Sequence, residues 1–280
     1  MKRSGRGTIA KQTVEIIEQG RYTSPSGLVV DIQPELKACI DGTRHFSPED
    51  LSRLLADLPA TEKSAAPVRL EVANETTLAG IAQLVADGVR SVVALNFASA
   101  KNPGGGFLGG SEAQEESLAR SSCLYASLMK AWNFYETHRA MRSLLYSDAM
   151  IYTPDCPVLR DDEGNLLDQP RLASFITSPA PNAGAIGRNR PDERSQILEV
   201  LIRRGELILA LAAAQGHREL VLGAWGCGVF RNDPEQVAEM FVGHLRSPRW
   251  SRRFDRVRFS VLDTSADQNI FRAFESALAG

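Results

Sequence analysis

Glu115 and Glu116, preceded by Gln114, form a pair of neighbouring carboxyl groups; seven residues separate Gln114 from three consecutive glycines, Gly104, Gly105 and Gly106. Such a pair suits proton transfer. Adjacent carboxylates disfavour double ionisation and exclusion of water raises a carboxyl pKa, while a helix N-terminus lowers it. Helical spacing sets Glu115 on the face of Leu118, Ser122 and Tyr125, with Glu116 turned about 100° away, so periodicity alone does not choose between them. Acidic residues in a first helical turn also complement the macrodipole, but that role leaves the glycines unexplained.

The glycines let a backbone approach a partner that any Cβ would repel. Before them, Val89 to Phe97 reads as a buried strand; after them, Ser111 and Gln114 match a capping box, and Leu118, Ser122, Tyr125, Met129 and Trp132 continue one long helix. Strand, glycine loop and helix N-terminus together place backbone amides against phosphate. Gly104 to Gly109 also spells G-x-G-x-x-G, but a Rossmann unit needs a second strand ending in an acidic residue roughly 20 residues on. Here that stretch, Cys123 to Trp132, lies within the helix, and no Gly-Lys-Ser/Thr marks a phosphate-binding NTPase loop. A second loop, Gly226-Cys227-Gly228-Val229-Phe230, follows the apolar strand Leu220 to Ala224 and precedes a helix with Asn232 or Asp233 near its cap and Pro234 in its first turn. Two such loops at one end of a parallel sheet can converge on a diphosphate. A tight turn with a core Phe is the plain alternative.

The Gly-Gly-Gly, seven residues, Gln-Glu-Glu pattern resembles the signature of the poly(ADP-ribose) glycohydrolases of the compact microbial type. Further blocks are similar to that family: Arg6-Gly7 to Ile17, Asn96 to Pro103, Tyr152 to Asp155, Thr177 to Asn182 and Gly223 to Asn232. The resemblance implies a macrodomain-like three-layer α/β/α sandwich with a mixed central sheet and an N-terminal helical extension. It implies hydrolysis of ribose–ribose O-glycosidic bonds, with poly(ADP-ribose), ADP-ribose and ADP-ribosylated proteins as partners, no metal or redox cofactor, and a setting in the DNA damage response. Compact members resemble exo-acting enzymes, so cleavage is expected at the terminal ADP-ribose.

Cleavage of a glycosidic bond passes through an oxocarbenium-like state, in which a carboxylic acid protonates the departing oxygen and a carboxylate then activates water. The resemblance assigns that work to Glu116, with Glu115 and Gln114 holding ribose hydroxyls or the neighbouring backbone. It makes Gly104, Gly105 and Gly106 a ligand cradle, gives the diphosphate to Gly226, Cys227, Gly228 and Val229, sets Phe230 against the ribose, and places Asn232 in the same block. One of Asn96, Ser99 and Asn102 is expected to touch a ribose, and Phe107 either stacks on a ring or packs in the core. A noncatalytic ADP-ribose reader would keep both glycine loops but need neither glutamate. A nucleotide-cofactor oxidoreductase is the remaining alternative.

Composition fits a globular enzyme without identifying one. The chain has 280 residues, 43% hydrophobic and 24% charged, which suffices for a sizeable core. A net charge of −2 supplies no global field for a polyanion, so such a substrate must be held locally. Cys39, Cys123, Cys156 and Cys227 lack C-x-x-C spacing and the four histidines are dispersed, which argues against a zinc site. No apolar run reaches membrane-span length and the first residues lack a secretory stretch, so the expected location is cytoplasmic. Arg246, Arg249, Arg252, Arg253, Arg256 and Arg258 form a basic run, read as a solvated face that a polyanionic chain could follow.

The elements that must position these groups alternate as in α/β proteins. Helix Thr8 to Gln19, a hairpin around Ser24-Pro25-Ser26-Gly27 and helix Pro48 to Leu58 come first. Ala65-Ala66-Pro67 is the expected boundary, separating an extension, 1–66, from a core, 67–280. The core is expected to run strand Val68 to Val72, helix Thr76 to Asp87, the glycine-loop unit, short strands Ala149 to Tyr152 and Ala173 to Thr177, and helix Asp192 to Gln215. It ends with strand Glu219 to Ala224, helix Pro234 to Leu245, strand Arg256 to Leu262 and a closing helix.

Overall fold

Strand β5, Val92–Phe97, shows how the architecture arises: Val93 and Leu95 pack into one core, while Val92 and Ala94 pack into another. A strand buried on both faces needs apolar residues at successive positions, and each buried Val or Leu side chain contributes about 1.5–3 kcal/mol. The computed structural model describes residues 1–59 and 66–280, so Ala65 of the expected boundary lies outside the described residues.

In chain order the elements begin with α1 (Arg3–Gln19), β1 (Arg21–Thr23), β2 (Val29–Asp31), α2 (Gln33–Gly42), β3 (Arg44–Phe46) and α3 (Pro48–Asp57). Then come β4 (Arg69–Ala73), α4 (Thr77–Ala86), β5, α5 (Gln114–Ser121), α6 (Leu124–Lys130) and α7 (Trp132–Ala140). The remainder is β6 (Met150–Arg160), β7 (Leu166–Ser178), α8 (Ala183–Asn189), α9 (Ile197–Ala214), β8 (Glu219–Leu222), α10 (Pro234–Arg246), β9 (Arg256–Ser260) and α11 (Asn269–Ala279). Among the described residues the central sheet has seven strands in the order β3-β6-β7-β5-β8-β9-β4. From β7 to β4 the neighbours are parallel; β6 is antiparallel to both β7 and β3. One face carries α3, α9, α10 and α11 through Leu51, Leu201, Phe241 and Phe274. The other carries α1, α2, α4, α6 and α7 through Ile16, Leu36, Ile81, Leu124 and Phe134. The result is the expected three-layer α/β/α sandwich with a mixed sheet.

Several local expectations need correction. The long helix after the glycines is three helices. Ser122 is extended and bridges to Val158 of β6, and its hydroxyl bonds Leu118 O at 2.7 Å, occupying a carbonyl that the helix no longer uses. The capping box does not form: Ala113 precedes α5 without a side-chain cap, and Gln114 is used elsewhere. Strands β6 and β7 form a long hairpin around the polar turn at 161–165, where two short strands were expected. The stretch Pro191–Gln196 is a 3₁₀ turn ahead of α9. Helix α2 and the three-residue strand β3 had no clear signal, yet β3 forms an edge of the central sheet. Asp233, not Asn232, caps α10, accepting from Glu235 N at 2.9 Å.

Candidate active site

The parallel neighbours β5 and β8 deliver the two glycine loops to one end of the sheet. Gln114 fastens the first to the sheet: its Oε1 accepts from Phe97 N at 2.8 Å, and its Nε2 donates to Leu95 O at 2.7 Å and Thr77 Oγ1 at 3.0 Å. Of the two tasks open to Gln114, holding the backbone is the one its bonds perform.

This clamp turns Glu115 inward. Only 3% exposed, Glu115 accepts from Ser99 N at 2.7 Å through Oε2 and from Asn96 Nδ2 at 3.3 Å through Oε1. Burial pushes its pKa up to about 8, and the charge of Glu116 adds to the rise; the donors Ser99, Asn96 and Gly104 oppose it. Desolvation therefore outweighs hydrogen bonding here. Glu116, on the adjoining face of α5, has its Oε1 bonded to Gly106 N at 3.0 Å and lines an open cleft.

Each of the three glycines makes room for a different neighbour, and Gly105 makes room for the carboxylates. Gly104 and Gly105 both have positive φ, 69° and 59°. A Cβ on Gly105 would stand 2.3 Å from Glu116 Oε1 and 3.4 Å from Glu115 Oε2, and one on Gly106 would meet Ser111 Oγ at 2.6 Å. The N-terminal helix then straps the loop from outside. Arg3 Nε donates to Gly109 O at 3.0 Å, Arg6 Nε donates to Gly110 O at 2.9 Å, and Arg6 pairs with Glu112 at 2.6 Å. From beneath, Arg120 bonds Ser111 O and Ser117 Oγ.

The second loop turns at Gly226, φ 75°, where a Cβ would strike Asn232 and Ala180. Gly228 has open space where a Cβ would point, and Val229 is 76% exposed. Between the loops lies a cleft of about 760 Å³, a size suited to a small-molecule ligand.

Ser99, Asn102, Gly105, Gly106, Gln114, Glu115 and Glu116 line this cleft from one side, and Gly226, Gly228, Val229 and Phe230 from the other. Five expected binding residues do not line it. Phe107 is buried against Ala10, Ala119 and Tyr125, so its ring belongs to the core, and Gly104 sits against that ring. Cys227 is buried, its thiol pKa raised by that burial. Asn232 spends its amide on Pro181 O and Gly226 O, and Asn96 lies behind Glu115. Residues not anticipated at the cleft include Phe97, Thr77, Arg120 and Trp225. Arg120 carried a faint signal, a cation one turn beyond the glutamates.

The arginine run is largely absorbed by the fold. Arg256 pairs with Asp87 and Glu219, Arg258 with Glu71 and Glu75, and Arg246, Arg249 and Arg253 bond backbone carbonyls. Among the described residues no group of three or more His, Cys, Asp or Glu could hold a metal ion, and no helix is long and apolar enough to cross a membrane.

Fold and site together define a macrodomain-like glycosidase, with two carboxyls under a glycine loop that faces a second glycine loop. The family model of the microbial-type PARG catalytic domain matches residues 10–161. The chain is similar to the crystal structure of poly(ADP-ribose) glycohydrolase from Thermomonospora curvata, with 51% identity, coverage of 98% of this chain and 99% of that one, and a TM-score of 0.93. The Thermomonospora curvata enzyme bound to the inhibitor ADP-HPD is 49% identical, with the same coverage and a TM-score of 0.90. The Deinococcus radiodurans enzyme in complex with ADP-ribose is 43% identical over 88% of this chain and 97% of that one, with a TM-score of 0.82. A comparison with curated proteins finds no match. The chain belongs to the microbial-type poly(ADP-ribose) glycohydrolases and is a glycosidase.

Proposed function

We propose that this chain hydrolyses the ribose–ribose O-glycosidic bonds of poly(ADP-ribose) from the terminal end, releasing ADP-ribose. The observation that carries the reading is the division between the two glutamates. Both line the cleft, but half-buried Glu116 has one oxygen held by Gly106 N, whereas Glu115 is buried with its two oxygens held by Ser99 N and Asn96. Glu116 protonates the departing ribose oxygen and, once ionised, takes a proton from the water that attacks the anomeric carbon. Glu115 presents a carboxyl to the ribose from below, and Gly228, Val229 and Phe230 close on the diphosphate side. The relatives crystallised with ADP-ribose and ADP-HPD support this ligand class. Hydrolysis by these groups consumes water alone and calls for no cofactor.

Terminal cleavage is supported by Met1 and, from α1, Arg6 and Ile9, which line the cleft beside the glycine loop and would restrict the entry of a polymer there. Residues 1–66 then act as an extension integrated with a catalytic core, 67–280, through the α1 strap and β3. A cytoplasmic location is consistent with four free, buried cysteines. ADP-ribosylated proteins as carriers of the polymer, and a setting in the DNA damage response, follow from the same substrate class.

A second reading is favoured by the raised pKa of Glu115, a property of catalytic acids in apolar surroundings. The two separate cleanly. Glu116→Gln should cut polymer hydrolysis by on the order of 10² to 10⁴ with ADP-ribose affinity retained, and early wild-type product should be monomeric ADP-ribose. Near-normal turnover in Glu116→Gln beside an inactive Glu115→Gln would transfer the acid role to Glu115. Full activity in both would leave an ADP-ribose reader.

A further inference from the structure

Behind Glu115 stands a buried polar contact that the proposed reaction leaves unused. Asn96 occupies the β5 face turned toward α5 and is fully buried. Its Nδ2 donates to Glu115 Oε1 at 3.3 Å and to Thr177 Oγ1 at 3.1 Å, while its Oδ1 is buried and without a hydrogen-bond partner among the described residues. Two donors on one side and an orphaned acceptor on the other suit an ionised Glu115.

A neutral Glu115 changes the requirement. Its proton sits best on Oε1, because Oε2 faces the short bond from Ser99 N. There the proton meets the Asn96 N–H group, donor against donor. A half-turn of the amide removes the conflict. Oδ1 then accepts from Glu115, and the Thr177 hydroxyl, rotating from acceptor to donor, gives that oxygen a second bond. Each orientation leaves one end of the amide orphaned, so the balance between them is set by what Glu115 carries.

We propose that Asn96 is a positioning residue whose amide, hinged on Thr177, turns between two orientations matched to the ionised and neutral forms of Glu115. The titratable groups facing Glu115 are Glu116 on its own helix and Tyr135 on α7; burial raises the Tyr135 pKa and keeps it neutral, and Ser99 and Gly104 contribute backbone amides. The consequence is that Glu115 can hold its proton beside Glu116 through neutral pH without facing an unanswered donor. No bond is made or broken; only the amide and one hydroxyl turn.

The inference rests on the reading that the glutamate pair carries the chemistry, but its test needs no turnover. NMR of the wild-type chain would follow the Asn96 side-chain NH₂ and its contacts with Thr177 while the Glu115 carboxyl is titrated. The NH₂ contacts should switch at the pH where Glu115 ionises and should be independent of pH in Glu115→Gln. In Asn96→Leu, the charged form of Glu115 loses the stronger bond, so its titration should move up by at least one pH unit, on the scale of one charge-assisted bond. The alkaline limb of kcat should move with it, and ADP-ribose affinity should change less than about threefold, since Asn96 does not line the cleft. An Asn96 NH₂ that stays on Thr177 across the Glu115 titration would overturn the proposal, as would an unshifted titration in folded Asn96→Leu. Activity retained in both glutamate variants would instead sink the catalytic reading and leave the amide switch standing.

Discussion

Replacing Gly105 by alanine tests why the loop is glycine-rich. The new Cβ would lie 2.3 Å from Glu116 Oε1 and 2.8 Å from its Cδ, whereas a carbon and an oxygen settle at about 3.3–3.6 Å, so the carboxylate must retreat by about 1 Å. The backbone adds a second cost, because φ at this position is 59° and a left-handed L-residue carries about 1–2 kcal/mol. The strain falls on one loop of a chain with two large cores, so the fold should survive, with a lowered melting temperature. The chemistry should not. A displacement of that size at the proposed acid should cost about 10²-fold in turnover, while the second loop, the proposed diphosphate site, is left intact. The assay is release of ADP-ribose from labelled polymer, beside calorimetric titration of ADP-ribose and circular dichroism. Folded Gly105→Ala with turnover within about threefold of wild type would refute the argument that this glycine exists to admit Glu116.

Two further substitutions probe burial. Glu115 has a folded pKa of about 8 against an ordinary 4.5, so between those values the unfolded chain ionises it while the folded chain keeps its proton. Its contribution is therefore fully present below about pH 4.5 and is lost as pH rises to 8. Urea unfolding should find Glu115→Gln gaining on wild type across that window, with a ceiling of about 5 kcal/mol; a difference independent of pH would contradict it. Phe107→Ala should lower stability by about 3–5 kcal/mol with ADP-ribose affinity unchanged in the folded fraction, and a selective loss of affinity would return Phe107 to the ligand.

Legibility followed the range of the forces involved. Val89 to Phe97 was readable as a strand, beginning three residues before β5 does, because two-sided burial demands an apolar run, here Val92 to Leu95. The break at Ser122 was not, because it depends on a bridge to Val158, thirty-six residues away, that outweighs local helical preference. Strand β3 was invisible for the same reason: three residues acquire their register only by pairing with Met150, Ile151 and Tyr152. At the site, residue types were readable and directions were not. Helical spacing separated Glu115 from Glu116 without saying which faced solvent, since that follows from Gln114 bonding the end of β5. The arginine run read as a solvated face, with a polyanion track as the alternative, because sequence cannot reveal Asp87, Glu219, Glu71 and Glu75 arriving from other elements.

The two glycine loops, alike in sequence, differ in what they make room for. At Gly105 the missing side chain admits a carboxylate of the chain itself, and at Gly106 a serine; at Gly228 it faces open space within the cleft. The first loop is therefore shaped from inside, with the space of its missing side chains filled by the chain itself. A substitution there should act on the position of Glu116 and hence on turnover. The second loop is shaped toward the cleft, where exposed Val229 and half-buried Phe230 await a partner, so a side chain added at Gly228 should act first on affinity. On the proposed function, acid placement and diphosphate capture would fall to separate loops on neighbouring strands, held in register by the parallel pairing of Val92, Val93 and Ala94 with Glu219, Leu220 and Val221.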